Sequence, residues 1–554
     1  MSSSYVCGTG PEPLRYQTIG MALRESAERW PTGEALVVCE QNVRMSYSEL
    51  DTAVTRLAAA LLALGLTPGD RIGIWSVNCV EWVLTQLAAA RAGLVLVTVN
   101  PAYRSSELRH ALTKTNSRAL VFGEGFREAS YAQMLSELMP ELEVSSPGDT
   151  VSTAACPALE HLVAIAPESP VAAARTFASL GHLVTPQVLA ELESITVALQ
   201  PDDPINVQFT SGTTGLPKGA TLSHFNILNN GFFCAQGMRF TARDRLCIPV
   251  PLYHCFGMVM GVLGCLTHGA TMVFPGASFQ AETVLRAVES ERCTGLYGVP
   301  TMFIAELDHP HFEGFDLSSL RTGIMAGAPC PIEVMRRVIE RMHLREITIA
   351  YGMTETSPVS FQTAVDDPIE QRVGTVGRIH PHVQVKIVDA KGSTVPRGET
   401  GELCTRGYSV MLGYWDDEVR SQESIDRAGW MHTGDQATID EDGYCRIVGR
   451  VKDMIIRGGE NIYPREVEEY LYQHPKIQDV AVFGVPDDKY GEQVAAWIRL
   501  HDGEQCTEAE LRDFCEKQIA YFKIPKYFQF VDEFPMTVTG KIQKFVMRQR
   551  LRAT

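Results

Sequence analysis

Between residues 48 and 99 the apolar pattern changes period repeatedly, and this switching constrains the fold more than any other feature of the chain. Leu57, Leu61 and Leu64 recur at helical spacing in the stretch 48–64, which Gly65 closes. Pro68-Gly69-Asp70 then turns the chain, and 71–75 is short and apolar enough for a strand. The stretch 79–91 returns to helical character, Gly93 stops it, and 94–99 is a β-rich apolar run. Alternating helix and strand imply crossover connections and a largely parallel sheet, so the first half is predicted to be α/β.

Further along, the pattern shifts. Residues 141–201 are rich in Pro, Ala and Ser and are expected to form a loosely packed surface excursion with one short helix. From 374 to 448 short β segments with tight turns take over, and Glu441-Asp442-Gly443 marks a hairpin between 437–439 and 445–448. A small α+β unit follows. Pro464 opens a helix with Val467 and Leu471 on one face, and 479–483 and 494–500 read as strands. Thr507 and Glu510 form a capping box before a helix carrying Leu511, Phe514, Cys515 and Ile519. The join falls near 449–453, which divides the chain into 1–450 and 451–554.

The residues that point to chemistry begin at Thr210-Ser211-Gly212-Thr213-Thr214-Gly215-Leu216-Pro217-Lys218-Gly219. This run follows an alternating strand, 205–209, and precedes a helix that Ser223 would cap. Small residues let backbone N–H groups approach phosphate oxygens, the hydroxyls add donors, and Lys218 adds charge. It is not a G-x-x-x-x-G-K loop, because the second glycine would fall at Pro217. Downstream stand Tyr351-Gly352-Met353-Thr354-Glu355-Thr356, Thr433-Gly434-Asp435, Gly449-Arg450 and Thr539-Gly540-Lys541. A carboxylate such as Glu355 suits Mg²⁺, which takes few hard oxygen ligands, and one such as Asp435 can accept from two ribose hydroxyls.

In this order the motifs resemble those of the adenylate-forming superfamily, over about residues 45–549, and within it the medium-chain fatty acyl-CoA synthetases. The resemblance implies a large N-terminal domain of β/α subdomains plus a small β-barrel-like one, followed by a mobile C-terminal domain. It implies that Thr210, Ser211, Gly212, Thr213, Thr214, Gly215 and Lys218 hold ATP phosphates, and that Gly327 and Ala328 line the adenine and acyl pockets. Tyr351 and Gly352 face adenine, Thr354 the α-phosphate, Asp435 and Arg450 the ribose, and Glu355 with Thr210 takes Mg²⁺. Lys541 is the expected catalytic lysine, offsetting charge at phosphorus together with Thr354, Glu355 and His254 as catalytic contacts. Lys452 is the expected hinge, and Gly458 and Gly459 flank the channel for coenzyme A. His254, Phe256, Met258, Val299 and Met325 are the expected acyl pocket. That pocket carries no fixed counter-charge, since Gly257 stands where amino-acid-activating relatives usually have Asp, so an alkyl acid fits better than an amino acid. An aryl or branched acid is the alternative, as is an adenylating module that does not use CoA.

The formal charge of -17 disfavours nucleic acid as a partner. The 14 cysteines contain no C-x-x-C pair and read as reduced, packed thiols, and the N-terminal stretch resembles no export or transit signal. The longest apolar stretch, near 257–274, is broken by glycines, His268 and Thr271 and reads as core. The expectation is a cytoplasmic enzyme acting on small molecules, with no transmembrane segment; a homodimer is one assembly open to it, and the sequence does not fix the oligomeric state.

Overall fold

The computed structural model of the chain describes residues 2–210, 217–328, 330–450, 453–458, 460–487, 489–516, 518–537 and 542–552. The predicted alternation is realised. Helix Tyr47–Ala63 starts at the capping box of Ser46 and Glu49, strand Arg71–Trp75 follows, and helix Val80–Ala92 ends at Gly93, whose φ is +72°. That second helix is buried almost all round, which is why it shows little amphipathic patterning. Its single buried cation, Arg91, is paired with Asp51.

Two large sheets form the body of the chain. The eight-stranded sheet runs Arg175–Thr176, His161–Ala164, Ala119–Phe122, Arg71–Trp75, Val95–Thr98, Pro204–Thr210, Lys218–Ser223, Gly413–Tyr414. Its first six strands are parallel, and each of the last two is antiparallel to the strand before it. The nine-stranded sheet has six parallel central strands, from Glu346–Gly352 through Thr322–Ala326, Gly295–Gly298, Arg245–Cys247 and Thr271–Phe274 to Glu34–Val38. Ile72 and Leu96 of one sheet and Leu246 and Met272 of the other share one core with the helices between them. Parallel strands covered on both faces read as continuous apolar runs, as seen at Val95–Thr98.

A third, antiparallel sheet joins Tyr5–Cys7, Val383–Val388, Gly401–Gly407, Met431–Ile439 and Cys445–Arg450, and includes the expected hairpin. A fourth contains Ile477–Asp487 and Gly491–Leu500, packed against Val467, Leu471, Leu511 and Cys515.

Three expectations need correction. Residues 141–201 are not a loose excursion. They add two parallel strands to the eight-stranded sheet, bury Val151, Leu159, Leu162 and Val171, and carry a 13-residue helix, Pro186–Ala198. Their strands are too short to show a period. The helix capped by Thr507 ends at Cys515, so Ile519 lies beyond it. Strand Tyr527–Phe530, parallel to Gly491–Leu500, was not anticipated. Among the described residues no helix is long and apolar enough to cross a membrane.

Candidate active site

Several candidate residues lie where parallel strands of the two large sheets end, the place at which open α/β sheets present loops to ligands, while Asp435 and Arg450 come from the third, antiparallel sheet. Thr210 ends one strand, Lys218 begins the next, and the two are register partners. The second strand was not foreseen, but Ser223 caps the following helix as expected, accepting from the Asn226 N–H. Ser211, Gly212, Thr213, Thr214 and Gly215 lie outside the described residues, as do Lys452, Gly459 and Lys541.

Glu355 sits in a single short turn, Thr354–Thr356, with only 6% of its surface exposed. Its Oε1 accepts from the Tyr414 hydroxyl at 2.9 Å and from Thr210 Oγ1 at 3.3 Å. Tyr414 lies on the strand beside Lys218–Ser223, and the Lys218 ammonium stands 4.7 Å from its ring centroid. Burial and the nearby Glu355 push the Tyr414 phenol above its ordinary pKa, so it remains a donor. Sequence reading passed over Tyr414, whose only local signal is an aromatic residue after a glycine.

Four residues before Glu355, the Tyr351 hydroxyl donates to Asp435 Oδ2 at 2.5 Å. Burial, and then Asp435, raise the pKa of this phenol well above normal. Arg450 Nε lies 3.1 Å from Asp435 Oδ1, and the two residues are cross-strand partners. Between the two carboxylates the backbone is tight. A Cβ on Gly352 would fall 1.7 Å from the Pro358 carbonyl oxygen, so only glycine fits there.

Behind this edge lies an apolar wall. Phe256 and Met258 belong to a π-helical segment, Phe256–Leu263, and share a core with Val299 and Ala326. Phe256 packs on Tyr297 with centroids 5.1 Å apart. Gly327, with φ +88°, would place a Cβ 3.2 Å from a methyl of the Val299 side chain; Ala328 follows it, half-buried. His254 is half-buried and its Nδ1 accepts from the Phe256 N–H at 3.3 Å. Met325 is not brought to these residues. It packs in a different core cluster, because adjacent strand residues point to opposite faces and Ala326 takes the inward place. Gln208 was missed altogether. Its amide is buried, donating to Met258 Sδ at 3.0 Å and accepting from Cys255 Sγ at 3.1 Å. Gly458, with φ +61°, turns the hairpin between Ile455–Arg457 and Glu460–Ile462.

A polar edge of two carboxylates, two phenols and two cations beside an apolar wall can hold a polyanionic, sugar-bearing group against a hydrophobic one. This combination is the one an adenylate-forming enzyme needs. The chain belongs to the AMP-binding enzyme family, which it matches over residues 23–415, with the family's C-terminal domain matched over 466–541. YngI of Bacillus subtilis is 48% identical over 97% of this chain and 97% of its own length. Medium-chain acyl-CoA ligase ACSF2, mitochondrial, of Homo sapiens is 44% identical over 99% of this chain and 90% of its own. Among solved structures, anthranilate CoA ligase AuaEII in complex with anthranoyl-AMP superposes with a TM-score of 0.84 at 27% identity, covering 98% of each chain.

Proposed function

We propose that the chain is an ATP-dependent acyl-CoA synthetase acting on medium-chain to long-chain fatty acids. One observation carries the reading: Tyr351, paired with Asp435 at the end of strand Glu346–Gly352, and Glu355, bonded to Tyr414 and Thr210 in the turn that follows, stand four residues apart. One nucleotide could thus meet both groups at once. Asp435 and Arg450 would hold the ribose, Tyr351 the adenine, and Lys218, Thr210 and Thr354 the phosphates. Kinship with enzymes named as medium-chain acyl-CoA ligases supports the alkyl acid, and so does the apolar wall. A second reading, an aryl acid, draws on the Phe256–Tyr297 ring pair.

The residues fit Mg²⁺. Glu355 is a buried carboxylate with a hydroxyl neighbour, Thr210, which is the hard-oxygen donor set this ion takes. When bound, the ion would offset charge on the phosphates.

In the first half-reaction a carboxylate oxygen of the acid attacks the α-phosphorus and the bond to pyrophosphate breaks. His254 would orient the carboxylate, and Lys541 would stabilise the charge that grows on the phosphoryl oxygens. In the second, the CoA sulfur attacks the acyl carbon, AMP leaves with the bonding electrons, and the thiol proton goes to solvent. Lys452 would act as the hinge between the two arrangements of 451–554 on 1–450, and Gly458 and Gly459 would border the thiol channel. We place the enzyme in a reducing compartment, the cytoplasm, in keeping with its 14 unpaired cysteines.

The test is AMP release with ATP and Mg²⁺ across saturated and aryl acids, with and without CoA. CoA-dependent turnover that peaks on an alkyl acid of middle length is expected. Pyrophosphate release indifferent to CoA would overturn the synthetase reading, and a preference for benzoate-like acids would overturn the alkyl one.

A further inference from the structure

On strand Gly401–Gly407, Leu403 packs into the core, while its neighbours Glu402 and Cys404 lie outside that cluster, Cys404 packing with Val388 and Trp430. Across the ladder, Cys404 is the register partner of His432. On that face Cys404 Sγ lies 3.5 Å from His432 Nδ1, and His432 Nδ1 lies 3.0 Å from Glu402 Oε2. All three ligand atoms lie within 4.8 Å of one another. Tetrahedral zinc with ordinary bond lengths would hold sulfur and nitrogen about 3.6 Å apart and nitrogen and oxygen about 3.3 Å apart. The sulfur–nitrogen and nitrogen–oxygen distances therefore stand within a few tenths of an ångström of those in a coordination sphere, and the sulfur–oxygen pair lies within 4.8 Å.

We propose that Cys404 Sγ, His432 Nδ1 and Glu402 Oε2 form a binding site for one soft divalent metal ion of the Zn²⁺ kind, distinct from the Mg²⁺ of the nucleotide. The other imidazole nitrogen supports this. His432 Nε2 lies 4.0 Å from Asp426 Oδ2, and the Asp426 carboxylate is itself anchored through Oδ1 by the N–H groups of Ala428 and Trp430. At 4.0 Å this carboxylate is not hydrogen-bonded to the second nitrogen, and a small approach would give the arrangement that orients metal-bound histidines. Lys386 and Arg406 approach this face but are engaged with the Trp430 ring. Glu402 and His432 are partly exposed, which gives an ion a route to the buried sulfur.

A second cluster, His474, Cys506 and Glu510, is the weaker candidate, because the Lys476 ammonium already sits 2.8 Å from the Glu510 carboxylate. A metal binds the thiolate, so binding must release the Cys404 thiol proton to solvent as the sulfur–metal bond forms.

The site is not isolated from the candidate nucleotide residues. Glu402 Oε1 accepts from the Gly434 N–H at 3.2 Å, and Gly434, with φ +70°, is the residue before Asp435. The ladder slips between Glu402 and Cys404, so Thr433, Gly434 and Asp435 bulge out directly beside the metal set.

The test is titration of the chelator-treated full chain with Co²⁺, read by absorption. One equivalent should bring up a near-ultraviolet thiolate-to-cobalt band and visible bands of four-coordinate cobalt, with release of one proton. Zn²⁺ should bleach them, and Mg²⁺ should not. Cys404→Ala should abolish the thiolate band, His432→Gln should weaken binding at least tenfold, and Asp426→Asn should weaken it about 10- to 100-fold. Cys506→Ala should change nothing. Absence of the thiolate band in the native chain, its survival in Cys404→Ala or its loss in Cys506→Ala would overturn the proposal. Should Cys404→Ala fail to fold, His432→Gln and Asp426→Asn decide alone, and unchanged cobalt affinity in both would overturn it.

Discussion

Tyr414→Phe removes one hydroxyl and leaves the ring on which Lys218 rests. In the native chain that hydroxyl donates to Glu355 Oε1 at 2.9 Å, inside a pocket where the carboxylate is 6% exposed. A hydrogen bond to a charged group contributes about 1.5–3 kcal/mol. Thr210 Oγ1 stays on the same oxygen at 3.3 Å, so the carboxylate is not left bare and the lower half of that range applies. A loss of about 1.5–2 kcal/mol corresponds to a fall of about 10- to 30-fold in kcat/KM for adenylate formation. Because Glu355 is the proposed Mg²⁺ residue, the variant should also need more Mg²⁺ for half-maximal rate. The assay is pyrophosphate release at fixed acid, with ATP and Mg²⁺ varied separately. A variant within twofold of the native enzyme, with the same Mg²⁺ dependence, would refute the claim that Tyr414 orients Glu355.

Asp435→Asn should raise KM for ATP by an order of magnitude or more while disturbing the Tyr351 and Arg450 contacts; an unchanged KM would remove Asp435 from the nucleotide site. Lys541→Ala should lose adenylate formation by at least about 100-fold, and full adenylation with loss of the CoA step alone would sink its assignment. Gly257→Ala would set a Cβ 2.5 Å from the Pro251 carbonyl oxygen, so its thermal midpoint should drop by an amount equivalent to about 1–3 kcal/mol; an unshifted midpoint argues against that packing. His224 and His380 are buried, with pKa values pushed down by burial to about 3 and about 4. Their folded forms refuse a proton that the unfolded chain accepts below its ordinary value of 6.5, so their contribution is intact above pH 6.5 and is lost as pH falls toward 4. Between pH 6.5 and 5 the pair should lower stability by about 3–4 kcal/mol, read as a falling urea midpoint, and a flat midpoint would contradict it.

What the sequence disclosed and what it hid follow one physical division. Helices and turns are local, so the Ser223 cap, the Gly93 stop and the hairpin at Gly443 could all be read from neighbouring residues. The motif residues Tyr351, Asp435 and Arg450 were legible by type, and the fold joins them. Partners that meet only through sheet order were not legible. Nothing near Tyr414 in the chain says that its strand lies beside Lys218–Ser223, and so its bond to Glu355 could not be foreseen. Parity was equally hidden: Met325 and Ala326 are both apolar, and only the register of Thr322–Ala326 between its neighbours turns Ala326 toward Phe256 and Val299.

The wall beside the nucleotide edge is built from Phe256, Met258 and Val299, but a buried amide, Gln208, stands between Met258 and Cys255. An alkyl chain that pushed past this point would have to separate Gln208 from both sulfur partners, leaving a buried amide without hydrogen bonds at a cost of about 1–3 kcal/mol. Each added methylene returns only about 0.8 kcal/mol of burial, so the amide offsets the gain from roughly one to four carbons, and chains that reach just past it bind no better than those that stop short. Gln208→Leu removes that penalty. It should move the best substrate toward longer saturated acids while leaving KM for ATP unchanged, and an unmoved chain-length profile would show that the acyl tail does not run past Gln208.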